Sequence, residues 1–239
     1  VANSMPVFFW FLYYILTDGT KGSYQSIQRE VDEIIMQNNC DPTSLTLAQL
    51  DQMVELQSAF REACRLQFGG FGVRDVVQDF IHEDESIPAT SSSSRTRTTT
   101  TTTRKFLIEK GTRIMAHPAV QHMDEVIFQN PTEFQWNRFA PDDNNNAPVF
   151  RDRNGKPLLS PTIIFGGGGY LCPGRKFITY ESTAYLAVLL HRFEIRLSPK
   201  EQSQPPPGRA TINVGMYNPG REVLIELRER KVATSTETS

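Results

Sequence analysis

The pattern of apolar and polar positions predicts a chain that is mostly helical. Residues 1–16 are apolar nearly all round, which predicts a buried, central helix. Residues 24–37 carry isoleucine and valine along one side and predict an amphipathic helix. Residues 47–67 predict one or two further helices, and a long apolar helix is predicted from Arg175 to about Leu190. The fold class is therefore predicted to be mainly α.

Short runs rich in β-branched and aromatic residues predict a small antiparallel β portion. Two of these runs, 106–108 and 112–116, flank Glu109-Lys110-Gly111 and predict a hairpin. The other runs lie at 74–81, 192–197, 211–216 and 223–228, and the last two are predicted to close a small antiparallel sheet.

Composition narrows the classes of protein that the chain can represent. The chain has 239 residues, 38% of them hydrophobic, which allows one large domain or two small ones. A net charge of −2 gives no reason to expect nucleic acid as a partner. The three cysteines are irregularly spaced, so they predict a reducing environment rather than a disulfide framework.

A biased segment and the polar end of the chain are predicted to lie outside any packed core. Residues 87–104 are rich in serine and threonine interleaved with arginine, which predicts a disordered insert in a loop. Residues 232–239 form a polar tail. The chain begins at Val1 without a leader, and the apolar run that ends at Leu16 is shorter than the ~18 residues of a membrane span. We therefore expect a C-terminal piece of a longer protein.

The most informative motif is the glycine-rich stretch at 165–175. Four glycines precede Cys172, and a helix is predicted just after it, where free backbone N–H groups and the helix dipole favour a thiolate. A thiolate in apolar surroundings is a suitable fifth ligand for a haem iron. A phosphate-binding loop, a structural zinc site and an inert buried cysteine are weaker alternatives. The first needs Lys and Ser/Thr where Arg175 and Lys176 stand, and the second needs clustered Cys or His.

Four of these positions carry a resemblance to a known family. Phe165, Gly168, Cys172 and Gly174 match F-x-x-G-x-x-x-C-x-G, so the chain resembles the cytochrome P-450 family of haem-thiolate monooxygenases. The resemblance implies haem b (iron protoporphyrin IX), with Cys172 as its metal ligand and the other three residues beside the cofactor. It covers nearly all of residues 1–231 and implies the C-terminal portion of that fold.

The resemblance implies a second motif, which would hold the cysteine loop from outside the haem site. Glu62 and Arg65 form the only E-x-x-R, and residues three apart share a helix face. The resemblance implies that Arg138, in the segment 130–139, joins them in a buried structural triad. A surface pair of little energetic value is the alternative.

The family also suggests two contacts to the haem propionates. Arg74 matches an arginine that contacts a propionate, with a solvated strand residue as the alternative. Tyr170 stands where the family usually has Arg or His near a propionate, and Ile178 stands where it usually has Ala. His117 and His122 are expected to be surface or structural residues.

The first helix resembles the family's oxygen-side helix. Alignment on Trp10 puts Ala2 and Asn3 where the family usually has an acid and a threonine, and Pro6 would open the helix locally. This segment resembles the branch of sterol 7- and 12-hydroxylases and prostacyclin synthase. Asn3 is the predicted catalytic residue, although it cannot act as an acid. A simple helix cap is the alternative.

The resemblance implies a monooxygenase that inserts one oxygen atom of dioxygen into a lipophilic, steroid-like substrate. NADPH would supply electrons through a separate reductase. The full-length protein would sit on the cytosolic face of the endoplasmic reticulum membrane, held by an N-terminal anchor that this chain lacks. A haem-thiolate isomerase and an inactive fragment are the alternatives.

Overall fold

The computed structural model describes residues 4–18, 22–84, 104–213 and 215–231. Three predictions lie outside these ranges: the catalytic role of Asn3, nearly all of the insert at 87–104, and the polar tail at 232–239.

Helices form most of the regular structure. They are α1 (Ser4–Thr17), α2 (Ser23–Gln37), α3 (Leu47–Gln52), α4 (Val54–Gln67), α5 (Pro118–His122), α6 (Arg175–Arg192) and α7 (Pro199–Gln202). The segment predicted as one or two helices divides at Met53, whose φ of −79° and ψ of 69° interrupt the helix. The new N-terminus of α4 is satisfied by Glu30 of α2, which accepts hydrogen bonds from the N–H groups of Glu55 (2.8 Å) and Leu56 (2.9 Å).

The main apolar core of the described residues lies where α1, α2, α4 and α6 meet. Each helix contributes fully buried side chains, among them Phe11, Ile27, Leu56 and Leu186. The first helix is central as predicted, with Phe11 and Ile15 fully buried, but Met5 in its first turn is 74% exposed. In the described residues no helix is both long and apolar enough to cross a bilayer.

The first four strands form two antiparallel pairs. They are β1 (Gly72–Asp75), β2 (Phe80–Asp84), β3 (Arg104–Ile108) and β4 (Arg113–Ala116), and β1 pairs with β4 while β2 pairs with β3, both antiparallel. The predicted hairpin between 106–108 and 112–116 is therefore wrong. The N–H of Gly111, at φ +89°, donates to the carbonyl of Val76, so residues 109–112 contact the segment between β1 and β2 and do not pair β3 with β4.

The last four strands form two separate antiparallel pairs. They are β5 (Phe193–Leu197), β6 (Arg209–Asn213), β7 (Met216–Pro219) and β8 (Ile225–Glu229). Of the two segments predicted to close a small antiparallel sheet, 211–216 divides between β6 and β7, which pair with each other, and 223–228 forms most of β8, which pairs with β5. The chain reverses inside the predicted strand, at Gly215 with φ +117°. The predicted class, helix-rich with small antiparallel sheets, is confirmed.

Candidate functional site

The glycine-rich stretch forms a compact loop that ends on Cys172. Gly166 and Gly168 have φ values of +75° and +58°, which residues with a side chain rarely adopt. The Cys172 N–H donates to the carbonyl of Phe165 at 2.8 Å and closes the loop. A Cβ at Gly166 would lie 2.9 Å from the Tyr170 carbonyl oxygen, so the tight turn itself requires glycine there.

One side of this loop is open. A Cβ added at Gly167, Gly168 or Gly169 would meet nothing within 4 Å, and one added at Gly174 would meet only the Cys172 Sγ, at 3.9 Å. Cys172 itself is half-buried. Large apolar side chains close to it in sequence are exposed, with Phe177 at 68%. A half-buried thiol beside glycines with free space, among exposed apolar side chains, suits a flat apolar group with a metal at its centre, and these residues fit haem.

The two residues predicted to contact propionates lie together. The Arg74 guanidinium stacks on the Tyr170 ring, 4.0 Å from its centroid. Arg74 also donates to the carbonyl of Val73 at 2.7 Å, and within the described ranges no carboxylate pairs with it. A guanidinium without a carboxylate, held at the rim of the cysteine loop, has donors left for an anionic group.

The predicted structural triad is assembled in the structure. Glu62 and Arg65 are fully buried, and the Arg65 guanidinium donates twice to the Glu62 carboxylate, at 2.7 and 2.8 Å. Arg138 Nε donates to Glu62 Oε1 at 2.8 Å. The backbone N–H of Gln135 approaches the same oxygen at 3.3 Å. The carboxylate therefore ties α4 to the segment 129–139.

The remaining donors of the triad bind backbone carbonyls. Arg65 donates to His122 at 2.5 Å and to Pro131 at 2.8 Å, and Arg138 donates to Gln129 at 2.7 Å. The Arg65 guanidinium also lies 4.9 Å from the centroid of the Phe128 ring. These contacts extend the triad to the end of α5.

Three side chains hold the segment leading into the cysteine loop, and none of these contacts was predicted from the sequence. Gln121 donates to the Pro161 carbonyl at 2.8 Å, and Arg61 Nε donates to Thr162 Oγ1 at 3.0 Å. His122 Nε2 accepts the N–H of Ile163 at 2.9 Å. His122 is fully buried and His117 is exposed, in agreement with the expectation that they are structural and surface residues. The partners of Gln121, Arg61 and His122 lie about 40 residues or more away along the chain, so no local pattern could have indicated these contacts.

The other cysteines lie apart from this site. Cys64 is buried in α4, and burial raises the pKa of its thiol far above the usual range, which keeps it inert. Cys40 is half-buried after α2. Within the described residues no three His, Cys, Asp or Glu side chains are grouped so as to hold a metal ion.

The helix-rich fold and its cysteine loop place the chain among haem-thiolate proteins. The chain belongs to the cytochrome P450 family, whose sequence model matches residues 86–225.

Individual relatives agree with the branch indicated by the first helix. The chain is 23% identical to cytochrome P450 7A1 of Oryctolagus cuniculus over 227 residues, 93% of this chain and 42% of that protein. It is 28% identical to the 25-hydroxycholesterol 7-alpha-hydroxylase of Rattus norvegicus over 202 residues, 82% of this chain and 44% of that protein. It is 24% identical to the prostacyclin synthase of Rattus norvegicus over 234 residues, which are 96% of this chain and 43% of that protein. The chain thus spans less than half the length of these curated relatives.

Proposed function

We propose that the full-length protein is a haem-thiolate monooxygenase and that Cys172 is its axial ligand. The observation that carries this proposal is the cysteine loop, in which a half-buried thiol lies beside glycines whose Cβ side is empty. We propose further that residues 1–231 form the C-terminal portion of the P450 domain, with a Ser/Thr-rich insert at 87–104 and a polar tail at 232–239.

Each residue of the site has a distinct part in holding the cofactor. Cys172 would bind the iron as a thiolate, and Phe165, Gly168 and Gly174 would lie against the porphyrin. Arg74 would neutralise a propionate, with Tyr170 fixing the guanidinium by stacking, since the two groups are 4.0 Å apart. Bound in this way, haem would supply the activation of dioxygen, and the Cys172 thiolate would donate electron density that favours O–O cleavage.

The triad acts indirectly. Glu62, Arg65 and Arg138 share their hydrogen bonds in a buried cluster that fixes the segments around the loop. A buried cluster of this kind limits the positions that the cysteine loop can take, so the thiol is oriented before the cofactor binds. Asn3 would face bound oxygen or substrate, and because it cannot act as an acid, proton delivery would run through water or be unnecessary.

The names of the relatives support a proposal for the substrate, and proposals for the partners and the location accompany it. Two of them are named as a cytochrome P450 7A1 and a 25-hydroxycholesterol 7-alpha-hydroxylase, which supports a lipophilic, steroid-like substrate. We propose that NADPH provides electrons through a separate reductase. We place the full-length protein at the endoplasmic reticulum membrane, facing the cytosol and held by an N-terminal anchor.

Haem titration of the 239-residue chain tests the ligand assignment. The expected result is stoichiometric uptake, and the reduced, CO-bound form should show the absorption band that is specific to thiolate ligation. Cys172→Ser should abolish this band, whereas Cys40→Ser, at the other half-buried cysteine, should leave it unchanged. A Cys172→Ser protein that retained the thiolate band would refute the assignment. Failure of the parent chain to take up haem would favour an inactive fragment.

A haem-thiolate isomerase is the second candidate. The similarity to prostacyclin synthase favours it, as do Ala2 and Asn3 at the positions of the family's acid and threonine. Turnover assays on the full-length enzyme distinguish the monooxygenase from the isomerase. Turnover of a peroxide substrate without reductase or dioxygen would support the isomerase, and strict dependence on NADPH would exclude it.

A further inference from the structure

We propose that His122 is a positioning residue for the loop that carries Cys172. It would act through a neutral imidazole that links the buried triad to the segment leading into the loop. The inference rests on the proposed function only in taking Cys172 as the haem ligand.

A continuous series of contacts leads from the triad to the cysteine. Arg65, which is bound to Glu62, donates to the backbone carbonyl of His122 at 2.5 Å. The His122 ring then accepts the N–H of Ile163 at 2.9 Å. Two residues further on, the carbonyl of Phe165 accepts the N–H of Cys172 at 2.8 Å. One histidine therefore connects the cluster on α4 with the backbone that determines where the thiol lies.

The hydrogen bonds define the protonation state of this ring. Nε2 accepts a backbone N–H, so it must carry a lone pair, and the proton of the neutral imidazole is on Nδ1. A second proton on Nε2 would face the Ile163 N–H and break that hydrogen bond. The contact to Ile163 therefore exists only while His122 is neutral.

The surroundings of the ring favour this neutral form. His122 is fully buried, and the charged group that faces it from α4 is Arg65, itself paired with Glu62. His117 is the titratable group that faces it from the start of α5, and Phe68 lies edge-on with its ring centroid 5.7 Å away. Burial and the Arg65 charge lower the pKa of His122 to about 4.

Packing alone does not account for a histidine at this position. In the part of the chain that the structure describes, Nδ1 is buried and makes no hydrogen bond of ordinary geometry, and a backbone group of Arg65 is the one contact that raises the pKa of the ring. A buried donor without a partner is costly, and an apolar side chain of similar size would avoid that cost. A leucine at this position would pack as well, but it could not accept the Ile163 N–H as Nε2 of His122 does.

Amide hydrogen exchange in the chain without haem tests the inference independently of the iron. His122→Leu should speed exchange at the Ile163 N–H by about tenfold, which corresponds to one net hydrogen bond. His122→Gln, whose side-chain oxygen can accept the same N–H, should restore slow exchange. His117→Leu is the matched control at an exposed histidine, and Ile27→Ala reports what general loss of stability does to Ile163.

A second readout follows the cofactor. After haem loading, His122→Leu should lose part of the thiolate-specific band of the reduced, CO-bound form, and His122→Gln should retain it. Unchanged exchange at Ile163 in His122→Leu, or a rise no larger than in Ile27→Ala, would overturn the inference.

The two proposals fail in different ways. If His122→Leu speeds exchange at Ile163 but Cys172→Ser keeps its thiolate band, the ligand assignment is wrong and the link through His122 stands. If His122→Leu does not fold, the parent and His122→Gln are compared at acidic pH. The parent should then lose protection at Ile163 while the glutamine variant keeps it, and equal protection in both would overturn the inference.

Discussion

Glu62 and Arg138 are 76 residues apart in sequence, yet Arg138 Nε donates to Glu62 Oε1 at 2.8 Å in the interior of the fold. The same oxygen accepts from Arg65 at 2.8 Å, so one carboxylate faces two guanidinium groups. The excess positive charge is balanced by backbone carbonyls, including those of Pro131 and Gln129. The cluster therefore depends on a single buried anion.

Glu62→Gln should be among the most destabilising single changes in the chain. The amide keeps the shape but not the charge, which leaves the fully buried Arg65 without a counter-ion. Removing one partner of a buried ion pair costs about 3–5 kcal/mol. Urea unfolding of the parent and the variant measures the difference in the free energy of unfolding.

A surface pair provides the control for Glu62→Gln. Glu226 pairs with Arg196 at 2.7 Å, but both side chains are exposed. Glu226→Gln should cost at most about 1 kcal/mol, since exposed pairs contribute little. Similar losses for the two variants would contradict the role given to Glu62.

The buried neutral ring of His122 should make the free energy of unfolding fall in acid. Burial, followed by the Arg65 charge, lowers its pKa from 6.5 to about 4, so the folded state favours the neutral ring. This contribution is fully present above pH 6.5 and is lost as the pH falls through about 4. The free energy of unfolding should drop by up to about 3 kcal/mol over this window. His122→Gln, compared with the parent by urea unfolding across the window, should lack this part of the drop.

The contribution of Glu30 to the free energy of unfolding should depend on pH in the opposite sense. Burial raises the pKa of its carboxyl from 4.5 to about 7, even though the N–H groups of Glu55 and Leu56 stabilise the charged form. The contribution of the neutral carboxyl is fully present below pH 4.5 and is lost as the pH rises through about 7. The free energy of unfolding of the parent should therefore decline by up to about 3 kcal/mol as the pH rises through this window, and Glu30→Gln should lack that decline. A parent whose stability rises throughout that window, with no difference from the variant, would contradict the prediction.

Features that are local in sequence were predictable. The glycine-rich run that ends at Cys172 is contiguous, so its turn and the helix after it followed from residue types alone. The helix faces that bury Ile27 and Val31 followed from their spacing.

Pairings between distant segments were not predictable in the same way. The glycine at 111 looks like a hairpin turn, but Gly111 donates to Val76, and the strands on its two sides pair with β2 and β1. The acceptor role of His122 depends on Ile163, which lies 41 residues away. A single sequence carries no signal for which distant segment supplies the partner.

The contact between Gly70 and the turn after β6 leads to a further prediction. The N–H groups of Gly69 and Gly70 both donate to the Gly215 carbonyl, at 2.8 and 3.0 Å, and hold the β6–β7 hairpin against the chain that follows α4. A Cβ at Gly70 would lie 2.8 Å from the Gly215 Cα, and a backbone atom cannot move aside as a flexible side chain can. Gly70→Ala should therefore separate the two segments and weaken both hydrogen bonds.

We expect Gly70→Ala to lower the free energy of unfolding by about 1–3 kcal/mol, the usual cost of overpacking. Hydrogen exchange should quicken at the Gly69 N–H, whose acceptor is the same carbonyl. Gly72→Ala is the matched control two residues away, because a Cβ there would meet nothing within 4 Å. If Gly70→Ala were as stable as Gly72→Ala and kept slow exchange at Gly69, the close approach of Gly70 to Gly215 could not be what holds the hairpin in place.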